Sequence, residues 1–184
     1  MQKHILVIVG LPGAGKSLAS NYLSQKTSWP KIHFGDITSQ ALKAKGLLVS
    51  EQNERDFRES IRAKLGMAAF AILNLPKIKE FYEQGSVLLE SFYSWEEYLL
   101  MKKEFGEAFK VLAVFASPKI RLSRLVARKE RPVTSEEFIS RDYSQIENLH
   151  QAGPIARADF TVLNEHSQEE LFKQLDFVVS ELLK

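Results

Sequence analysis

The stretch GLPGAGKS, residues 10–17, places one lysine and one serine at the end of a glycine-rich run. Gly10, Gly15, Lys16 and Ser17 match the pattern G-x-x-x-x-G-K-[ST]. Glycines let backbone N–H groups close around a phosphate, the lysine reaches its terminal oxygens, and the hydroxyl can bind Mg²⁺. The alternative is a plain glycine-rich turn. We expect ATP and Mg²⁺ to be bound here by Gly10, Leu11, Pro12, Gly13, Ala14, Gly15, Lys16, Ser17 and Leu18.

Four arginines recur at intervals of three, four and three residues: Arg121, Arg124, Arg128 and Arg131. If one helix continues through all of them, they share a face. Planar guanidinium groups stabilise the charge that spreads over a phosphoryl group during transfer. A solvated helix face is the alternative, and mutual repulsion at this spacing favours the functional interpretation. Arg141 is a further candidate.

Two carboxylates follow strand-like segments. Glu90 ends the apolar run SVLL, and phosphate-loop enzymes need a carboxylate near Mg²⁺ at the end of such a strand. We expect Ser17 and Glu90 to position the metal; a solvent-facing strand end is the alternative for Glu90. Asp36 follows KIHF and Gly35. It either accepts the proton of an attacking hydroxyl or caps the next helix.

A second arginine stripe consists of Arg55, Arg58 and Arg62. Glu51 precedes Arg55 by four residues, and Glu54 precedes Arg58 by four, which predicts two helical ion pairs. We expect Arg58 and Arg62 to be available to an acceptor substrate.

These residues need a scaffold, and strand-like and helix-like segments alternate along the chain. This order predicts an α/β domain with a five-stranded parallel sheet and helices on both faces, whose ligands bind beyond the carboxyl ends of the strands. We expect one domain over residues 1–184, with a basic lid at about 128–137. The expected strands cover residues 5–9, 31–34, 86–90, 109–116 and 159–164. The expected helices cover residues 37–46, 51–75, 94–106 and 168–183, and two more begin at 16 and 117.

Composition narrows the class of protein. The 184 residues include no cysteine and carry a net charge of +2, so disulfides, thiolate zinc sites and a nucleic-acid coat are not expected. The four histidines are scattered, and we expect Ser91 and Ser94 to lack a nearby histidine base, so neither a zinc site nor a hydrolase triad is expected. The N-terminus does not resemble a signal peptide, and no segment has the length of a membrane span. We expect a cytoplasmic protein with no nucleic-acid or membrane partner.

GLPGAGKS, FGD and the carboxylate that ends the third strand resemble the nucleoside-monophosphate kinases of the adenylate kinase type. SPKIRLSRLVAR and ARADFTVLNEHSQEEL resemble the dephospho-CoA kinases and an archaeal kinase-like family related to them. The resemblance implies a phosphate-loop kinase in which Asp36 faces the acceptor, Arg124 contacts the nucleotide and Asn164 borders the adenine; a turn is the alternative role for Asn164. Adenylate-kinase-like enzymes have acceptor-phosphate arginines after this aspartate and at position 93. Here residues 37–40 contain no arginine, and position 93 is Tyr93.

We therefore expect an ATP-dependent kinase with catalytic residues Lys16, Asp36, Arg124 and Arg128. Its acceptor is a small nucleoside-, nucleotide- or dephospho-CoA-like molecule, bound by Asp36, Arg58 and Arg62. The missing arginines favour a hydroxyl acceptor, since a hydroxyl needs a base and fewer cations than a phosphate. Two alternatives stay open: an NTP-binding switch or hydrolase, and a nucleotide-binding module with weakened catalysis that acts with a protein partner. Both a monomer and a homodimer are compatible with the sequence.

Overall fold

The computed structural model describes residues 2–129 and 132–184. Its strands are β1 (Ile5–Val9), β2 (Lys31–His33), β3 (Val87–Glu90), β4 (Phe109–Phe115) and β5 (Phe160–Leu163). They form one sheet in the order β2-β3-β1-β4-β5, and every neighbouring pair is parallel. The predicted five-stranded parallel sheet is confirmed.

Helices connect the strands and cover both faces of the sheet. They are α1 (Lys16–Thr27), α2 (Asp36–Ala44), α3 (Glu51–Leu65), α4 (Ala69–Gln84), α5 (Trp95–Phe105), α6 (Pro118–Val126), α7 (Ser135–Tyr143), α8 (Ala152–Ala156) and α9 (Gln168–Leu182). A 3₁₀ turn (Gly106–Ala108) precedes β4, and a π-helical turn (Ser144–Asn148) follows α7.

The central strand β1 is buried on both sides, which explains its uninterrupted apolar run. Successive side chains of a strand point to opposite faces. Ile5, Val7 and Val9 pack into the core layer that contains residues of α4 and α5. Leu6 and Ile8 pack into the layer that contains residues of α1 and α9. The sheet is thus held between two hydrophobic layers, and the loop after β1 emerges at its carboxyl edge.

One predicted helix is wrong in extent, and the condition for the arginine stripe is not met. The expected helix over 51–75 is two helices, because Gly66 adopts a φ of 75° after α3 and redirects the chain before α4 begins. The apolar residues keep their helical spacing across this break, so the spacing alone did not predict the turn at Gly66. The arginine stripe does not continue on one helix either, since α6 ends at Val126 and Arg128 follows it.

The segment 128–137 was expected to be a lid between two helices. Glu130 and Arg131 lie outside the described residues. Val133 is buried in a small apolar cluster with Leu125 and Phe138, and Thr134 caps α7 through a capping box. The end of the segment is therefore anchored to the domain. Over the described ranges, no helix has the length and apolar character needed to cross a membrane.

Candidate functional site

The glycine-rich loop joins the carboxyl end of β1 to the first turn of α1, as predicted. Gly10 has a φ of 146°, and a Cβ there would lie 2.4 Å from the carbonyl oxygen of Val114. Gly15 has a φ of 100°, and a Cβ there would lie 2.1 Å from Nδ2 of Asn164. Both positions therefore require glycine, for conformation and for space. The loop is packed closely against β4 and the end of β5.

Three polar side chains donate hydrogen bonds to backbone carbonyls of the loop. Asn164 donates from Nδ2 to the carbonyl of Ala14 at 2.8 Å. Arg124 donates to the carbonyls of Asn164, at 2.8 Å, and Gly13, at 3.4 Å. The buried Gln151 donates to the carbonyl of Gly10 at 3.2 Å. This network holds the loop backbone in one shape, and the expected roles of Arg124 and Asn164 at the nucleotide stay predictions.

Lys16 turns back towards its own loop. Its Nζ donates to the carbonyls of Gly10, at 2.6 Å, and Leu11, at 3.3 Å. Burial, and then the positive charges of Arg128 and Arg121, lower the pKa of Lys16 to about 8. An anion in the loop would relieve this loss of solvation and the repulsion between cations.

A cleft of about 430 Å³ opens in front of the loop, and we call it the loop cleft. Several predicted residues meet there, whereas Gly10, Leu11 and Ala14 line a smaller cavity of about 190 Å³. The predicted residues Asp36, Glu90, Arg58, Arg62, Arg124 and Asn164 are not among those that line the loop cleft. Its lining is Pro12, Gly13, Gly15, Lys16, Ser17, Leu18, Ser91, Tyr93, Arg128 and Gln145.

Arg121 does not belong to a free arginine stripe. It forms a buried, bidentate ion pair with Asp142, with nitrogen–oxygen distances of 2.8 and 2.6 Å. Its guanidinium also donates to the carbonyls of Ala116 and Pro12 and lies 5.0 Å from the ring centre of Phe138. Burial of a charge requires such pairing, so Arg121 joins α6, α7 and the loop as a structural residue.

The far side of the loop cleft contains a contact that the sequence did not indicate. Ser91, directly after Glu90, forms a hydrogen bond of 2.6 Å between its Oγ and Nε2 of His33. Nδ1 of His33 lies 3.2 Å from Oδ1 of Asp36. The expectation that Ser91 has no histidine nearby is therefore wrong. The capping role considered for Asp36 is also wrong, because Gly35 occupies the cap position and no side-chain cap is formed.

The second arginine stripe is only partly paired as predicted. Arg58 contacts Glu54 at 3.6 Å, as expected, but Arg55 contacts Glu59 rather than Glu51. The guanidinium of Arg62 lies 5.2 Å from the ring centre of Phe70, and burial lowers the pKa of Arg62.

Beside Arg62 lies a buried carboxyl group. Burial raises the pKa of Glu97 to about 7, while the backbone N–H groups of Tyr93 and Ser94 donate to it at 2.9 Å. Glu97 thereby fixes the turn that carries Tyr93 into the loop cleft.

Within the described residues no cluster of three or more histidine, cysteine or acidic side chains is arranged to hold a metal. Mg²⁺ bound with a nucleotide needs only one or two protein oxygens, since phosphates and water supply the rest. The hydroxyl of Ser17, which lines the loop cleft, could supply one such oxygen. Glu90 does not line the cleft but ends β3, the strand beside β1, and its expected role towards the metal stays a prediction.

Two similar solved structures are kinases. Shikimate kinase from Bacteroides thetaiotaomicron superposes with a TM-score of 0.62 at 15% identity, covering 98% of this chain and 99% of that one. A gluconokinase from Sinorhizobium meliloti gives a TM-score of 0.55 at 14% identity, covering 98% and 96%. Together with the glycine-rich loop, these likenesses define a P-loop domain with a kinase-like fold.

The sequence comparisons define the family. A family model described as an AAA domain matches residues 6–149. A UPF0200 protein of Pyrococcus furiosus is 31% identical over 183 residues, covering 96% of both chains. Another from Methanocaldococcus jannaschii is 30% identical over 182 residues, covering 97% of this chain and 90% of that protein. The chain belongs to the UPF0200 family, within the P-loop AAA-domain group.

Proposed function

We propose that this protein is a single-domain phosphotransferase of the cytoplasm that moves the γ-phosphoryl group of Mg·ATP to a small-molecule acceptor. One observation carries the proposal: Lys16, Ser17 and Arg128 line one cleft in front of a glycine loop at the N-terminus of α1. Backbone N–H groups and the positive end of a helix bind phosphates. The cleft thus offers the donors that a triphosphate needs.

Each residue has a role in this proposal. Lys16 releases the carbonyls of its loop and binds the terminal phosphates. Their negative charge stabilises the buried ammonium group, which has lost its solvation. Arg128 lines the same cleft, near enough to Lys16 to lower its pKa, and stabilises the charge on the moving group. Arg124 donates to the carbonyls of Gly13 and Asn164 and thereby keeps the backbone N–H groups of the loop directed at the nucleotide.

Two residues near the end of β3 and the start of α1 would hold the metal. Ser17 would hold Mg²⁺ with its hydroxyl, and Glu90 would hold it through water. Mg²⁺ neutralises charge on the β- and γ-phosphates when it is bound. The protein's part is to keep the hydroxyl in the first turn of α1 and the carboxylate at the end of β3, where the backbone carbonyl of Glu90 accepts a hydrogen bond from the N–H of Phe34 at 3.0 Å.

The acceptor site lies towards α2, α3 and Tyr93. Asp36, whose carboxylate is half-exposed, is the base for a hydroxyl acceptor. Tyr93 lines the cleft in a position where a phosphate acceptor would need a cation. Arg62 interacts electrostatically with Arg58, Glu97 and Tyr93, so we assign Arg58 and Arg62 to charged groups elsewhere on the acceptor. Shikimate kinase and gluconokinase are named for hydroxylated acids, and such acids join nucleosides and dephospho-CoA as candidate acceptors.

Lys16→Ala tests the proposal, with Lys119→Ala, an exposed lysine on α6, as its control. Calorimetry with Mg·ATP and an ADP-release screen against nucleosides, nucleoside monophosphates, dephospho-CoA and hydroxy acids are measured on both variants. We expect Lys16→Ala to lower kcat roughly a hundredfold, since one electrostatic contact to the transition state has about this value. Its circular dichroism should be unchanged. Equal turnover in the two variants would contradict the proposal, and ADP release that no acceptor changes would favour a hydrolase or switch.

A further inference from the structure

Ser91, His33 and Asp36 form a continuous chain of polar contacts beside the loop cleft. Oγ of Ser91 lies 2.6 Å from Nε2 of His33, and Nδ1 of His33 lies 3.2 Å from Oδ1 of Asp36. The three residues come from three elements: the end of β2, the first turn of α2 and the residue after β3. This order of hydroxyl, imidazole and carboxylate activates serine as a nucleophile in unrelated enzymes.

The hydroxyl of Ser91 shares the loop cleft with the residues proposed to bind phosphate. Ser91 lines the loop cleft together with Lys16, Ser17 and Arg128. Ser17 and Tyr93 are the other hydroxyl side chains among the described lining residues, and neither has a hydrogen bond to a histidine in the structure. Ser91 is thus the hydroxyl of the cleft that has a base within reach.

The backbone of Ser91 supports the same conclusion. Its φ is 59°, in the left-handed region that side chains other than glycine rarely adopt. Such conformations persist where the surrounding structure enforces them, and they cluster at functional sites. Here the conformation follows directly on β3 and accompanies the contact between Ser91 and His33.

We propose that Ser91 is a self-phosphorylation site, which rests on the proposed binding of Mg·ATP in the loop cleft. Oγ of Ser91 attacks the γ-phosphorus, and a new oxygen–phosphorus bond forms as the bond from the γ-phosphorus to the β,γ-bridging oxygen breaks. The proton of the hydroxyl passes to Nε2 of His33, and ADP leaves. The carboxylate of Asp36, with Oδ1 3.2 Å from Nδ1, stabilises the imidazolium that forms when Nε2 takes the proton. The phosphoserine that forms shares the loop cleft with Lys16 and Arg128.

The full chain is incubated with Mg²⁺ and γ-labelled ATP without an acceptor, and the label is located by mass spectrometry of peptides. The nucleophile is removed in Ser91→Gly, because glycine accepts a φ of 59° and this variant keeps the fold. Ser140→Ala, an exposed serine on α7, is the matched control. His33→Gln removes the base.

We expect label on Ser91 in the wild type and in Ser140→Ala, and none at position 91 in Ser91→Gly. His33→Gln should lower the labelling rate about a hundredfold, the scale of a lost general base. Equal total labelling of Ser91→Gly and the wild type would overturn the inference. ATP binding with acceptor-dependent ADP release but no phosphoserine at 91 would overturn the inference alone, whereas absence of ATP binding would overturn the proposed function as well.

Discussion

Replacement of Gly15 by alanine probes how tightly the loop is held. The new Cβ would meet Nδ2 of Asn164 at 2.1 Å and Cγ of Asn164 at 3.4 Å, and among the described residues Asn164 is the one distant in the sequence that it would contact. Asn164 would have to move, although it is buried and bonded to Ala14. A buried acceptor without a partner costs about 1–3 kcal/mol. The left-handed conformation of the new alanine adds about 1–2 kcal/mol. Gly15→Ala should therefore destabilise the fold by about 2–5 kcal/mol.

A double-mutant cycle separates the two contributions. Asn164→Ala alone should cost about 1–3 kcal/mol, because it removes the same hydrogen bond. In the double variant Asn164 is absent and the new Cβ meets no side chain. The loss of stability is then that of Asn164→Ala plus the conformational contribution of the new alanine, and this sum should equal the loss for Gly15→Ala alone. The cycle is then less than additive by about 1–3 kcal/mol.

Urea unfolding of the four proteins measures this coupling. Gly46→Ala is the control, since Gly46 has a φ of 68° and no atom within 4 Å of its added Cβ. It should show the conformational contribution alone, about 1–2 kcal/mol. Additivity of Gly15→Ala and Asn164→Ala within about 0.5 kcal/mol would refute the contact.

Three further changes test the surroundings of the loop cleft. Asp142→Asn leaves the charge of Arg121 buried and should lower the free energy of unfolding by about 3–5 kcal/mol in urea; a loss under about 1 kcal/mol would contradict the buried ion pair. Glu97 has a pKa of about 7 in the fold against 4.5 when unfolded. Its protonated form stabilises the fold at low pH, and that stabilisation should be lost between pH 4.5 and 7, by up to about 3 kcal/mol. Urea unfolding across this range should show the loss in the wild type and not in Glu97→Gln, and parallel profiles would exclude it. Arg128→Ala, at an exposed position, should weaken ATP binding about tenfold by calorimetry and leave the free energy of unfolding within about 0.5 kcal/mol; unchanged affinity would remove this arginine from the site.

Local patterns in the sequence were sufficient for the sheet and the loop. The apolar run before Gly10 predicted a strand buried on both faces, and β1 packs into two core layers. The residues from Gly10 to Ser17 belong to one local turn, so the phosphate loop could be predicted from their spacing without knowledge of the fold. Prediction from local patterns fails at Gly66, because the helical spacing of apolar residues continues across a turn that interrupts the helix.

Long-range contacts decided what the charged and polar residues do. Arg121 and Asp142 are 21 residues apart, and only the packing of α6 against α7 brings them together. Ser91 and His33 are 58 residues apart, and Asn164 is 150 residues from Ala14. The sequence by itself determined the elements and the glycine loop, since both depend on neighbours along the chain. Only the tertiary structure determined which polar groups are paired, because parallel pairing of strands brings distant strand ends to one edge of the sheet.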